Sequence, residues 1–459
     1  MVTKKLNQSI FREYDIRGLV PEELNSESVF NLGKAIGTYF RSNKVKDIVL
    51  GHDCRHSSPE FYESFTKGVL LSGCNVIGIG MVPTPCLSFA TYFFDVGGGV
   101  QITGSHNPKN YNGFKITLDR KSIHGTEIKK IYSFTQEKTS QNISQMGIYK
   151  KQNIKTEYLR RATENLKLNR KIKVVVDAGN GIGGELACKV LRRIGAEVSG
   201  LFIKPDGNFP NHHPDPTIDS NLSSLIKKIR KTKSEIGIAL DGDADRIVVV
   251  DSNGVIVRGD ELLIILSKSI LEKNLGASIV FDVKCSSRLT DFIKKMKGRP
   301  IMGATGHSLI RDRMIKESAL RGGELSGHIF FSDDYYGFDD AIYTAARLVS
   351  YLSKSKETLS DFREKIPKSV STPEIRIPCN EEKKFDVVNQ LKSIFNKDYK
   401  TNEIDGIRIS FTGGWALIRA SNTEPALVLR FEAQDKNLLS RYEKIVYEKL
   451  RKFIEIKLP

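Results

Sequence analysis

Residues Lys46–Asp53 read KDIVLGHD, a short apolar run rich in β-branched residues that ends in an aspartate. Near-continuous apolar runs of this length suit strands covered on both faces, as in sheets flanked by helices. The same phrase returns at Ile172–Asp177 (IKVVVD) and at Ala277–Asp282 (ASIVFD). A helix-like stretch follows each copy, then a second short strand at Asn75–Ile79, Glu197–Ile203 and Pro300–Met302. A third strand then runs into a polar, glycine-bearing loop. These are Gly99–Ile102 into TGSHNP, Ile236–Leu240 into DGDADR, and Ala319–Arg321 into GGELSGH. One order repeated three times predicts a triplicated α/β unit. In such sheets ligands gather at the strand ends, where the loops converge.

The last part of the chain follows another pattern. Lys365–Ser371 opens a stretch with Pro367, Pro373 and Pro378, which reads as a linker. Beyond it Ile407–Phe411, Trp415–Arg419 and Ala426–Phe431 read as short strands around a Gly413–Gly414 turn, closed by a charged helix over Lys436–Lys452. That is a small α+β domain with an antiparallel sheet. The expected domains are 1–150, 151–255, 256–366 and 367–459, in keeping with 459 residues at roughly 150 or fewer per domain.

Composition narrows the class. A content of 39% hydrophobic and 27% charged residues excludes wholesale disorder. The most apolar stretch, Glu261–Leu271, is broken by charged and polar residues, so no membrane span is expected. Met1–Asp15 has lysines but no apolar core, so no signal peptide is expected either. The six cysteines show no C-x-x-C spacing, which fits neither a disulfide framework nor a zinc site and suits a reducing cytoplasm. The 71 Lys+Arg against 54 Asp+Glu leave a charge of +17. The basic clusters Lys227–Lys231 and Lys294–Lys297 lie in helical stretches along the chain, as solvated faces do, so no nucleic acid is expected. A small phosphorylated substrate is equally compatible with that charge.

The loops carry the chemistry. Asp241, Asp243 and Asp245 alternate in DGDADR, a set of hard oxygens suited to one Mg²⁺. An EF-hand would need Gly and Glu where Arg246 and Ser252 stand. Ser105, in TGSHNP, follows a strand end where its hydroxyl can be exposed; it either presents that hydroxyl or satisfies turn amides. No G-x-S-x-G hydrolase elbow surrounds it. Glu324, Ser326 and His328 offer groups suited to sugar hydroxyls. Arg419 with Ser421, Asn422 and Thr423 offers a guanidinium and a ring of donors for a phosphate dianion. Two decoys carry no chemistry. Gly179, Gly181 and Gly184 spell G-x-G-x-x-G, but the acidic residue about 20 positions on is missing, which leaves helix–strand packing as their role. His212–His213 lacks H-E-x-x-H geometry.

Taken in order, FREYDIRG (Phe11–Gly18), TGSHNP, DGDADR, GELSGH and RASNTEP resemble the α-D-phosphohexomutase family, in its bacterial phosphomannomutase/phosphoglucomutase branch, over essentially the whole chain. Asp282–Val–Lys–Cys285, Thr305–Gly–His–Ser308 and Gly337–Phe–Asp–Asp340 support the resemblance. It implies three related mixed α/β domains plus a smaller α+β C-terminal domain around a central cleft. It further implies a phosphoserine at Ser105 that completes a Mg²⁺ site with Asp241, Asp243 and Asp245, and charge neutralisation by Arg246. Hexose 1- and 6-phosphates of mannose and glucose would interconvert through a bisphosphate, with glucose 1,6-bisphosphate or mannose 1,6-bisphosphate as activator. Glu324, Ser326, His328 and Lys284 would bind the sugar; Arg419, Ser421, Asn422 and Thr423 would bind the phosphate that is not reacting. Proton transfer would fall near Lys115 and His307, with Tyr14 and Arg17 closing on the substrate. The implied protein is a cytoplasmic monomer or dimer whose partners are phosphosugars.

Two other readings compete. A phosphoglucosamine mutase shares the serine and metal motifs, although Leu325 in GELSGH is closer to the mannose/glucose branch. A non-enzymatic binding protein on the same scaffold should have lost Ser105, an aspartate or the Arg419 loop, and all are intact. Many relatives have glycine at the position of Ala244, a difference that matters if the loop needs a positive φ there.

Overall fold

The computed structural model describes residues 6–136, 145–422 and 424–454. The chain forms two compact units, Met1–Leu262 with Ser326–Phe362, and Leu263–Leu325 with Arg363–Pro459. Among the described residues no helix is long and apolar enough to cross a membrane.

The threefold phrase is visible as topology. In the first unit, Asp47–His52 lies between Asn75–Met81 and Gly98–Ile102, parallel to both. Lys173–Asp177 lies in the same way between Glu197–Leu201 and Ile236–Leu240. In the second unit, Ser278–Asp282 is flanked by Arg299–Gly303 and Arg321–Gly323, again parallel. Each aspartate therefore stands at the carboxyl end of its sheet's central strand, or one residue past it. Antiparallel strands widen the first two sheets: Tyr111–Leu118 and Ile16–Leu19 in one, Ile247–Asp251 in the other.

Helices cover these sheets for ordinary reasons. Ser26–Ser42 starts at Asn25, whose side chain accepts from Ser28 N while Ser28 Oγ caps back, and it buries Val29, Leu32, Ile36 and Phe40 at helical spacing. In the third repeat the strand sits two residues later than its sequence suggests. Gly322 faces the Met314 sulfur so closely that a Cβ would approach it to 2.3 Å, and Arg321 is wholly buried. The strand exists through close packing rather than propensity.

In the second unit the C-terminal sheet is antiparallel, with Gly414–Ala420 between Ile407–Phe411 and Ala426–Ala433. The proline-containing stretch is not a plain linker. Val370–Ser371 and Ile375–Pro378 are strands on Ala426–Ala433, the prolines falling at or outside strand ends where no ladder donor is needed. The helix Lys436–Leu450, capped by Asp435, covers the sheet with Tyr442, Val446 and Leu450. The only tryptophan, Trp415, donates its indole N–H to Glu432 (2.9 Å) beneath the Arg408 guanidinium, 3.7 Å from the ring centre. Arg408 also donates to the carbonyls of Val283 and Cys285, tying the loop after Asp282 to this sheet.

Candidate active site

The TGSHNP loop is built around two residues from the end of Asp47–His52. Asp53 accepts from Thr103 Oγ1 (2.8 Å) and Gly104 N (3.1 Å) on one oxygen, and from Arg55 N and Ser58 Oγ on the other. Arg55 is 1% exposed and donates to four carbonyls of the loop: Ser105, Asn107, Pro108 and Tyr111. This fixes Ser105 at φ 47°, a left-handed conformation that costs a non-glycine residue about 1 kcal/mol or more. The serine is not an open hydroxyl as its sequence context suggests. It is 2% exposed, with Oγ 2.9 Å from Asp241 Oδ2 and 3.2 Å from His106 Nδ1.

Asp241, Asp243 and Asp245 are all buried, with oxygens within 4.8 Å of one another. Burial raises the Asp241 carboxyl, and Asp245 and Asp243 raise it further. Asp245 meets the same burial but is held well below the ordinary carboxylate range by Lys115, His328 and Arg246. The Lys115 ammonium bonds both Asp243 Oδ2 (2.7 Å) and Asp245 Oδ2. Burial opposes that charge, and the three aspartates more than offset it, so Lys115 is held as a cation. Thr84 adds a hydroxyl to Asp243 at 2.6 Å. Asp243 Oδ1 and Asp245 Oδ1 are buried and accept no hydrogen bond. Orphaned carboxylate oxygens in a three-aspartate cluster fit a hard divalent cation such as Mg²⁺, held by Asp241, Asp243 and Asp245.

Backbone contact brings the two loops together. A Cβ on Gly242 would come within 2.4 Å of the Ser105 carbonyl oxygen, so only glycine allows this approach. Ala244 has φ 61°, so the loop does adopt the left-handed conformation that glycine would relieve. The bare Cα of Gly183 leaves room for the Ala244 methyl, and Ile182 N donates to Gly242 O (3.0 Å). The glycine-rich turn after Lys173–Asp177 thus packs against the aspartate loop. His212 bonds Asp177 Oδ1 at 3.1 Å as a local partner.

Arg246 leads to His328: its Nε donates to His328 Nε2 at 2.9 Å, and His328 Nδ1 lies 2.7 Å from Asp339 Oδ2. At 3% exposure, His328 sits among these charged groups. Ser326 is half-buried in the preceding turn. Arg17 pairs with Asp15 and donates to Asn107 of the serine loop, while Tyr14 is half-buried in the bend before it.

The remaining expected residues belong to the second unit. Asp282 plays the part that Asp53 plays in the first: it contacts Thr305 Oγ1 (3.4 Å), Leu325 N (3.3 Å) and Lys284 Nζ (3.7 Å). Lys284 Nζ is 2.7 Å from Glu374, whose carboxyl it pulls down to about 2. Glu324 accepts from Gly306 N (2.7 Å), next to His307 at the start of the helix His307–Lys316. Arg419 Nε donates to Asp405 (2.9 Å), and Ser421 Oγ accepts from Glu424 N (3.1 Å). Asn422 is half-buried, and Thr423 lies outside the described residues.

Family models cover the chain in the order of its repeats. Phosphoglucomutase/phosphomannomutase alpha/beta/alpha domains I, II and III match residues 8–142, 156–254 and 258–370, and the C-terminal domain matches 374–449. The chain belongs to the phosphoglucomutase/phosphomannomutase family. It is 43% identical over 448 residues to a phosphomannomutase/phosphoglucomutase of Pseudomonas syringae pv. tomato, covering 97% of this chain and 96% of the relative. A phosphoglucomutase of Neisseria gonorrhoeae is 40% identical over 95% of this chain and 96% of its own. The crystal structure of a phosphoglucomutase/phosphomannomutase family protein from Burkholderia thailandensis superposes with a TM-score of 0.90 at 36% identity, covering 97% of this chain and 98% of that one.

Several residues that hold the candidate site's side chains and loops in this family member carry no signal of their own in the sequence. Arg55, Thr84, Glu374 and Lys384 act on partners tens or hundreds of positions away. Lys384 sits in the charged run EEKK and is 1% exposed, donating to the carbonyls of Ser421 (2.6 Å) and Glu424 (3.1 Å). The available signal is repetition: the central strand of each of the three repeats ends in an aspartate or is followed by one, and residues beside it hold the loops.

Proposed function

We propose that this protein is a phosphohexomutase that interconverts the 1- and 6-phosphates of mannose and glucose, with Ser105 as the phosphate carrier. The observation that carries this reading is the Ser105 hydroxyl, 2.9 Å from Asp241 within the three-aspartate cluster. Full-length similarity to proteins named for both activities supports it.

In the forward step a sugar hydroxyl oxygen forms a bond to the phosphorus carried on Ser105, and the bond from phosphorus to Oγ breaks. The hydroxyl proton ends, by net balance, on Ser105 Oγ. The product is a 1,6-bisphosphate, which turns around and returns its other phosphate to Ser105 by the reverse chemistry. A magnesium ion held by Asp241, Asp243 and Asp245 would neutralise charge on the transferring phosphate. Lys115 and Arg246 add fixed positive charge, while Arg55 holds the carrier in its strained conformation so that no loop reorganisation accompanies transfer. Arg419, Ser421, Asn422 and Thr423 would hold the idle phosphate in either orientation. Lys284, Glu324, Ser326 and His328 would contact the sugar, His307 would serve proton transfer, and Tyr14 and Arg17 would close over it. A trace of glucose 1,6-bisphosphate would keep Ser105 charged.

The test is a ³¹P NMR time course with Mg²⁺ and trace glucose 1,6-bisphosphate, supplying mannose 1-phosphate, glucose 1-phosphate and glucosamine 1-phosphate in turn. Conversion of the first two to 6-phosphates, largely lost in Ser105→Ala, is expected. Conversion of glucosamine 1-phosphate alone would replace this assignment with its neighbour, and no conversion of any sugar would end it.

A further inference from the structure

Asp405 stands in the turn between the strands Lys400–Asn402 and Ile407–Phe411. One carboxylate oxygen, Oδ2, accepts from two elements of the second unit: Arg419 Nε at 2.9 Å and the backbone N–H of Thr305 at 3.0 Å. Arg419 heads RASNTEP, and Thr305 heads the turn that carries His307. The turn is made for this placement. Gly406 has φ 75°, and a Cβ there would lie 2.3 Å from Ile418 O and 2.7 Å from Arg419 Cα, so the chain presses directly onto the arginine's backbone. Asp405 itself is mostly shielded, its side chain 14% exposed.

We propose that Asp405 is a positioning residue for phosphate recognition: it orients the Arg419 guanidinium through Nε and ties that orientation to the Thr305–Ser308 turn. The proposal rests on the reading of Arg419 as the holder of the idle phosphate. An ion pair at Nε lies in the guanidinium plane and limits how that plane can turn. The same oxygen anchors Thr305, so phosphate grip and the placement of the turn before His307 are set by one carboxylate. A lysine in place of Arg419 has no guanidinium plane for Asp405 to orient, so a positioning effect of Asp405 disappears in that background.

The test is a double-mutant cycle of Asp405→Asn and Arg419→Lys, read by calorimetric titration with glucose 6-phosphate and by steady-state kinetics with glucose 1-phosphate. Asp405→Asn is expected to weaken glucose 6-phosphate binding and raise KM roughly ten-fold, with kcat within about two-fold, as loss of one charge-assisted bond predicts. In the Arg419→Lys background the same change should add less than about two-fold, because coupled residues do not add. Unchanged binding in Asp405→Asn, or fully additive effects, would overturn the proposal. Should Asp405→Asn melt before it can be assayed, Asp405→Ser carries the same cycle. A wild type that binds glucose 6-phosphate but turns nothing over would overturn the mutase reading instead, and the binding cycle would still decide the role of Asp405.

Discussion

The loop that carries Ser105 and the loop that follows Arg419 are each held from behind by one buried cation, and they are held to different degrees. Arg55 donates to four carbonyls of the first, whereas Lys384 donates to two of the second. The first loop keeps a serine at positive φ against the aspartate cluster, a conformation that persists only if its surroundings over-determine it. A planar guanidinium brings five donors in a fixed fork to that task, against three on an ammonium. The cation behind the loop of proposed covalent chemistry thus reaches four carbonyls, and the one behind the loop of proposed reversible binding reaches two.

The sharpest way to break this comparison is Arg55→Met. Four carbonyls, that of buried Ser105 among them, would lose their donor and Asp53 its counter-charge, so a loss of about 4 kcal/mol in urea unfolding is expected, with mutase turnover abolished. A fall below about 1 kcal/mol would show that the loop holds itself. Lys384→Met should be milder, about 2 kcal/mol by the same measurement, with KM for glucose 1-phosphate raised several-fold and kcat nearly kept. An equal or larger loss than Arg55→Met would reverse the ranking of the two loops.

Two carboxylates, Glu374 in the second unit and Asp340 in the first, respond to pH with opposite sign. Glu374 is held down to about 2 by Lys284, so its contribution is present above the usual glutamate range near 4.5 and is lost as pH falls toward 2. Glu374→Gln should remove roughly 2 kcal/mol at pH 7 and nearly nothing at pH 2, read from calorimetric melts of both proteins. Asp340 runs the other way. Burial raises it to about 7, despite donated bonds from Tyr343 N, Tyr335 and Tyr158. Its folded form therefore favours the proton, and the stability this gives is present below about 4 and lost as pH rises through 7. Between pH 4 and 8, Asp340→Asn should gain on the wild type by on the order of 3 kcal/mol. A constant difference across that range would contradict the assignment.

Ala244→Gly should have the smallest effect. It relieves a left-handed alanine but loses a buried methyl and gains unfolded-chain freedom, leaving a net stabilisation of about 0.5 kcal/mol. A clear destabilisation would mean that packing of that methyl at Gly183 outweighs the strain.

The threefold plan was readable because it is written in local pattern: an apolar run, an aspartate, then a polar loop, three times. Asp241, Asp243 and Asp245 were readable because their spacing lies within one loop. What holds the loops was not, since Arg55 reaches residues 50 to 56 positions away and Lys384 reaches 37 to 40. Lys384 shows the reason most plainly. A lysine in EEKK has the pattern of a solvated face; its burial is made favourable by the Glu381 carboxylate three residues earlier (2.6 Å) together with the carbonyls of Ser421 and Glu424. The proline-bearing stretch before residue 379 misleads in the opposite direction, because it supplies edge strands where proline costs no ladder bond.

The indole of Trp415 has a practical consequence. It is the chain's single tryptophan, buried at 3% exposure, with a guanidinium over its face and a carboxylate on its nitrogen. Its guanidinium neighbour, Arg408, is also the tether to the backbone of Val283 and Cys285. Red-edge emission from this protein is therefore a one-site optical signal, free of labels, whose colour and intensity follow the seal between the C-terminal strands and the loop that carries Lys284.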